Sequence, residues 1–191
     1  DRYRRLGWEA VGVDYSESAC AAGRAAGREM YQGSLADAGF DDASFDYVRS
    51  NHSFEHLNNP GETLDEIARI IRPGGTLFIG VPDSAGLMAR MFGKEWYYVG
   101  APVHVINYDR KNLAALLERH GFEITTVRGN STHGGTTGSL QSWWIGRSGR
   151  GRLDGGIVTS APGILIGFWL SKLLDLVGAG DCVEVTARKA V

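Results

Sequence analysis

The feature that most constrains this chain is a regular exchange of short apolar runs for helix-forming stretches along nearly its whole length. Trp8 to Val13 is a short apolar run ending at Asp14, and it reads as a buried parallel strand. Ser16 is placed to cap an alanine-rich helix running to about Gly27. Phe45 to Val48 begins another strand, with Asp46 as its one charged member. Asn59-Pro60-Gly61-Glu62 combines an N-cap, a proline at the first helical position and an acid in the first turn. Leu64, Ile67, Ala68 and Ile71 then follow at helical spacing, Pro73-Gly74-Gly75 stops the helix, and Thr76 to Val81 is the next strand. Asp109 caps a helix through Leu113, Leu116 and Leu117, which Gly121 closes before a strand from Phe122 to Arg128. Gly129 to Gly156 is glycine-rich, contains Trp143-Trp144, and reads as a long loop or excursion. A helix from Ile164 and a strand from Val183 to Arg188 end the series. Such alternation predicts an α/β fold, a doubly wound parallel sheet with helices on both faces.

The 191 residues suit a single domain, and a hydrophobic fraction of 43% suits a packed core. A net charge of -2 argues against a surface that tracks phosphate backbones, so no nucleic-acid partner is expected. Cys20 and Cys182 are the only cysteines, which leaves no disulfide framework and no four-thiolate zinc site. A reducing, cytoplasmic setting is the expectation. The most apolar stretch, Ile164 to Val177, is interrupted by Lys172 and Asp175 and is too short to span a bilayer. It reads as a buried or amphipathic helix, with a weak membrane-surface contact as the alternative.

In doubly wound sheets ligands bind beyond the carboxyl ends of the strands. The positions to inspect are therefore Asp14-Tyr15, Ser34-Leu35, Asn51 to His56 and Pro82-Asp83. A carboxylate at the first of these suits a ribose diol, since its two oxygens accept from both hydroxyls. An acid there serves nicotinamide enzymes equally well.

An ordered set of segments is more specific. Gly7-Trp8-Glu9-Ala10-Val11-Gly12-Val13-Asp14-Tyr15-Ser16 is followed by Ser44-Phe45-Asp46-Tyr47-Val48, then by Phe54-Glu55-His56-Leu57 and Pro60. Glu66-Ile67-Ala68-Arg69-Ile70-Ile71-Arg72-Pro73-Gly74-Gly75 completes it. On these residues the chain resembles class I S-adenosylmethionine-dependent methyltransferases. Phe92-Gly93-Lys94-Glu95-Trp96, Pro102-Val103-His104 and Gly180-Asp181-Cys182-Val183-Glu184-Val185 are similar to a bacterial branch associated with small-molecule or cell-surface glycan methylation. The resemblance implies a Rossmann-like sheet whose last strand inserts antiparallel between its neighbours. It also implies that residues 1–191 form one methyltransferase domain, with the family's first strand and glycine-rich loop upstream of Asp1 and an excursion at 129–180. S-adenosylmethionine is the implied cofactor. Asp14 would hold its ribose, Tyr15 would pack on the adenine, Ser34 and Leu35 would meet the adenine edge, and Asn51 and His52 would face the methionine portion. Ser34 departs from the acidic residue usual at its position.

His52-Ser53-Phe54-Glu55-His56 also spells the H-x-x-E-H pattern of a zinc peptidase class. That chemistry needs both histidines on one helix face, whereas this segment directly follows a strand, so no metal is assigned. His104, in the segment that covers the acceptor pocket in the family, is the first candidate for a general base, and His56 is the second. Histidine suits proton removal from an oxygen acceptor near neutrality. Trp96 and Tyr98 are candidate acceptor contacts, while His133 carries no readable signal. Methyl transfer to a hydroxyl of a small-molecule or glycan-type acceptor is the expected reaction. Its rivals are a non-catalytic methyltransferase-like module and, on the strength of Asp14 alone, a nicotinamide-dependent reductase.

Overall fold

A computed structural model describes residues 2–100, 102–149 and 155–190. In chain order the elements are α1 (Arg2–Arg5), β1 (Val11–Asp14), α2 (Glu17–Ala25), β2 (Glu29–Gln32), β3 (Phe45–Asn51) and α3 (Pro60–Ile70). There follow β4 (Ile71–Pro82), α4 (Leu87–Phe92), α5 (Arg110–Arg119), β5 (Phe122–Gly129), α6 (His133–Ser148), α7 (Ala161–Leu176) and β6 (Cys182–Lys189). The strands form a pair β1-β2 and a four-stranded sheet in the order β3-β4-β6-β5. Pairing is parallel in β1-β2 and β3-β4, and β6 runs antiparallel to both β4 and β5. The expected α/β architecture is present, with helices on both sides and the last strand inserted against its neighbours.

Local chemistry explains most boundaries. Ser16 Oγ accepts from the Ala19 N–H and starts α2, while the Ser16 N–H is held by Asp14 Oδ1 at 2.8 Å. Asp109 opens α5 through a full capping box with Asn112. Asn59 precedes α3 but does not cap it with its side chain; its amide donates to Glu62 Oε2 at 3.1 Å instead. The Pro73-Gly74-Gly75 turn does not separate α3 from the next strand as expected. β4 already begins at Ile71, and the turn is absorbed as an irregularity opposite β3, where Phe45 pairs with Ile71 and Tyr47 with Thr76. Gly74 has φ +74°, and a Cβ at Gly75 would lie 2.6 Å from Ile71 Cγ2, so both glycines are needed for this bend.

The core lies between β4, β6 and the helices against them. Leu77, Ile79, Val81, Val183 and Val185 are fully buried with Leu64 of α3 and Leu113 and Leu117 of α5. Among the described residues, β1 and β3 have no hydrogen-bonded strand partner on their facing edges. Between their starting ends lies a cleft of ≈ 1310 Å³, lined by residues such as Trp8, Val11, Phe45 and Tyr47. Tyr3, Trp8 and Tyr47 bridge it with ring centroids 5.8–5.9 Å apart. This cleft is at the opposite ends of the strands from Asp14 and Asn51.

The largest departure from the sequence reading is at 129–156. Residues 133–148 form a helix rather than a loop. Its glycines and hydroxyl residues lower intrinsic helicity, but they permit close packing. A Cβ at Gly138 would meet the Tyr97 ring at 2.4 Å, and one at Gly135 would meet Asp181 Oδ2 at 2.6 Å. α7 is not a buried helix either, because most of its large apolar side chains are exposed. No helix among the described residues is long and apolar enough to cross a membrane.

Candidate functional site

Two groups of residues collect at the carboxyl ends of the strands. The first is at β1 and β2. Asp14 is exposed, with one carboxylate oxygen engaged by the Ser16 N–H, and the Tyr15 ring beside it is largely exposed. Beyond β2, Ser34 donates through both its N–H and its Oγ to Asp37 Oδ2, at 2.8 and 2.6 Å. Those two bonds hold the Asp37 carboxyl below the usual carboxylate range. Ser34 therefore brings a carboxylate to this loop at second hand, and its own backbone donor is occupied. Leu35 is half-buried and packs against the core. The sequence reading missed Asp37, although a serine followed three residues later by an acid is a legible turn signal.

The second group follows β3. Asn51 pairs with Gly80, whose missing side chain leaves room for the Asn51 amide. His52 then takes φ +51°, a left-handed conformation uncommon for a side-chain-bearing residue, and its N–H donates to Gly80 O at 2.8 Å. That reversal turns the chain into a short 3-10 turn, Phe54–His56, anchored by the fully buried Phe54. Glu55 is buried and neither carboxylate oxygen has a hydrogen-bond partner. His52 Nδ1 lies 3.4 Å from Glu55 Oε1.

The segment after β4 is folded down on this turn. Glu55 O accepts from the N–H groups of Val105 and Ile106, at 2.9 and 3.2 Å. His56 Nδ1 donates to Val103 O at 2.9 Å, and His104 Nδ1 donates to Tyr98 O at 2.8 Å. A carbonyl only accepts, so each ring carries its proton on Nδ1, and in the neutral ring Nε2 is the free basic nitrogen. The rings meet with centroids 4.8 Å apart. Gly100, at φ +59°, is required here, since a Cβ would lie 2.5 Å from the His104 ring. Glu55, His56 and His104 each offer one ligand atom, all within 4.8 Å of one another. A cluster able to hold a cation thus exists where the sequence reading assigned none.

Tyr98 is half-buried, stacks on His52 at 6.2 Å and hydrogen-bonds Thr132 Oγ1 at 3.1 Å; burial raises its hydroxyl's pKa well above the usual range. Trp96 does not join this group. It is buried in a second apolar cluster with Met88 and Leu174, and its indole N–H donates to Asp181 Oδ1 at 3.2 Å. It holds the covering segment rather than lining a pocket. Asp181 itself is fully buried, with Oδ2 unpartnered; burial pushes its carboxyl up to about 7, and the charges of Asp175 and Asp83 add to this. Asp83 is buried too and pairs with Arg110 Nε at 2.8 Å. The structure therefore brings together Asn51, His52, Glu55, His56, Tyr98 and His104, and sets Asp14, Tyr15, Ser34 and Leu35 at the neighbouring strand ends.

Comparison with known proteins bears on the family and the fold. The methyltransferase domain family matches residues 1–127. A mitochondrial ubiquinone biosynthesis O-methyltransferase from Dictyostelium discoideum is 28% identical over 95 residues, covering 47% of this chain and 30% of its own. A probable S-adenosylmethionine-dependent methyltransferase from Mycolicibacterium smegmatis is 30% identical over 121 residues, covering 62% of this chain and 45% of its own. The chain thus spans less than half the length of these curated relatives. Among solved structures, an S-adenosylmethionine-dependent methyltransferase from Thermotoga maritima superposes with a TM-score of 0.64 at 18% identity, covering 98% of this chain and 75% of that one. One from Archaeoglobus fulgidus gives 0.64 at 16% identity, covering 98% and 79%. The fold and the matched family converge: this chain belongs to the methyltransferase domain family, whose cofactor is S-adenosylmethionine.

Proposed function

We propose that the chain carries S-adenosylmethionine-dependent methyl transfer to a hydroxyl of a small-molecule or glycan-type acceptor. The observation that carries the reading is the pair His56 and His104, each with Nδ1 committed to a carbonyl and Nε2 left as a base. The residues present fit the cofactor. The second oxygen of Asp14 and the exposed Tyr15 ring suit a ribose and an adenine, and Asn51 and His52 would face the methionine portion. The cofactor, when bound, supplies an electrophilic methyl group on a cationic sulfur. His104 Nε2 would take the acceptor's hydroxyl proton as that oxygen receives the methyl group. Positioning provides much of the rate in such an in-line displacement. Tyr98 and the backbone bonds from Val105 and Ile106 to Glu55 hold His104 over the strand ends.

The same reading places residues 1–191 in one domain, with a further strand fitting between the unpaired edges of β1 and β3. Two free, buried cysteines suit a reducing, cytoplasmic setting. The test is transfer of a labelled methyl group to a panel of hydroxyl acceptors, with and without His104→Gln. Transfer that is equal in both removes His104 as base, and hydride transfer from NADH would favour the reductase.

A second reading rests on Glu55. A buried carboxylate with no hydrogen-bond partner, next to two free imidazole nitrogens, is a donor set suited to a divalent transition ion. Metal analysis after dialysis against zinc or manganese separates the readings: one equivalent retained by the parent and lost in His56→Ala supports the ion.

A further inference from the structure

Thr132 stands at the N-cap position of α6 but its side chain does not cap the helix. A threonine there ordinarily accepts from an N–H of the first turn. Its hydroxyl lies instead 3.1 Å from the hydroxyl of Tyr98. Ser139, about two turns further along α6 and fully buried, is turned the same way, with the Tyr97 N–H donating to its Oγ at 3.1 Å. Both bonds grip the single 3-10 turn Tyr97–Val99. Between them α6 is cleared of side chains. A Cβ at Gly138 would lie 2.4 Å from the Tyr97 ring, and one at Gly134 would already be in contact with the Tyr97 ring and the Tyr98 hydroxyl, at 3.7 and 3.8 Å. The glycines that weaken α6 as a helix thus make the bed in which this turn lies.

What the turn presents is Tyr98 O, which accepts from His104 Nδ1 at 2.8 Å. A 3-10 turn of three residues makes few hydrogen bonds of its own, so the direction of that carbonyl depends on what grips the turn from outside. α6 is in turn fixed from behind. Ser171 Oγ of α7 donates to Thr132 O at 2.9 Å and lies 3.1 Å from Thr136 Oγ1. Ser131 donates through N–H and Oγ to the two Asp175 oxygens at 2.8 and 2.6 Å. A continuous series of bonds therefore runs from α7 through α6 and Tyr98 to the His104 ring.

We propose that Thr132 and Ser139 are positioning residues for His104: through the Tyr97–Val99 turn they hold its imidazole as the Nδ1–H tautomer and leave Nε2 bare. Their part in methyl transfer rests on the reading of His104 as the base, whereas their hold on the ring does not. α6 and α7 then serve the site as a frame, although neither supplies a member of the Glu55, His56 and His104 cluster.

The test is ring-nitrogen NMR of the whole chain with isotope-labelled histidine, at alkaline pH where an ordinary histidine is neutral, with His104→Gln assigning the signals. The parent is expected to show His104 protonated on Nδ1 alone. Thr132→Val/Ser139→Ala, which removes both hydroxyls, should show a mixture of tautomers, and Thr132→Ser/Ser139→Thr, which keeps both, should match the parent. Turnover with a hydroxyl acceptor should fall about tenfold or more in the first variant, with acceptor KM and S-adenosylhomocysteine affinity little changed, and return in the second. An unchanged tautomer in the folded Thr132→Val/Ser139→Ala protein overturns the proposal, as does a parent ring protonated on Nε2. If that variant fails to fold, judged by circular dichroism and thermal unfolding, Tyr98→Phe leaves α6 untouched, breaks the bond to Thr132 from the other side and is read in the same way. Mixed tautomers with a turnover that neither the variant nor His104→Gln alters would uphold the hold on the ring and overturn His104 as the base, so the two failures are told apart.

Discussion

His56 and His104 come from separate segments yet meet edge to face, centroids 4.8 Å apart, each ring fixed by a backbone carbonyl of the covering segment. His56 bonds to Val103 O, the residue before His104, so the two rings position each other. Neither ring can turn without breaking a bond that also shapes the loop. A proton acceptor fixed in this way loses little freedom when an acceptor hydroxyl arrives.

Replacement of His104 by Gln is therefore expected to lower turnover by about 10²–10⁴ with little change in cofactor affinity. The amide keeps a donor toward Tyr98 O but has no basic nitrogen. Steady-state kinetics with isothermal titration of S-adenosylhomocysteine check both halves. A loss confined to the acceptor KM would make His104 a binding residue and pass the base to His56.

Asp14→Ala is expected to weaken S-adenosylmethionine binding by about 1.5–3 kcal/mol, the range for charge-assisted hydrogen bonds. Because Asp14 Oδ1 also holds the Ser16 N–H at the start of α2, alanine alone confounds binding with a loosened helix start. Asp14→Asn separates them. It keeps an acceptor for Ser16 but loses the charge, so a stable protein with weakened calorimetric affinity assigns the carboxylate to the cofactor.

Much of this was legible from residues alone, and what was not has physical causes. Ser16, Asp109 and the apolar spacing of α3 and α5 act locally, so their elements stand where the pattern places them. α6 was not legible, because its glycines and threonines argue against helix until Tyr97, Asp181 and Gly167 are seen packed against them. β2, a four-residue strand of Glu29-Met30-Tyr31-Gln32, is too short and polar to show periodicity and owes its place to pairing with β1. At the site, His56 and His104 were readable as residue types, but their meeting was not, since it depends on two backbone bonds to Glu55 O across a long loop. Trp96 was expected at the acceptor, yet its indole is used inside, against Asp181.

Removing the Asp109 cap tests how far that local legibility extends to energetics. Asp109→Ala deletes the acceptor for the Lys111 and Asn112 N–H groups, at 2.7 and 2.8 Å, and half of the capping box. A loss of about 1 kcal/mol is expected, within the range for N-cap deletions. Denaturant unfolding should show a lower midpoint with an unchanged slope.

The last prediction concerns the buried Asp181. Its carboxyl is raised from the ordinary value near 4 to about 7, chiefly by burial. Between those pH values the folded chain holds a proton that the unfolded chain has released, so folding is linked to proton uptake. Stability should therefore fall as pH rises from about 4 to about 7 and level off above that, with Asp181 costing on the order of 1–3 kcal/mol once it is ionised. Asp181→Asn removes this titration while keeping an amide oxygen to accept from Trp96 Nε1. A neutral amide also costs less to bury than a carboxylate. The variant should match the parent at about pH 4 and below and exceed it at pH 8, seen as a higher midpoint in thermal or urea unfolding. Parallel pH profiles for the two proteins would show that Asp181 meets its burial by other means, for example by drawing water to the oxygen that has no partner here.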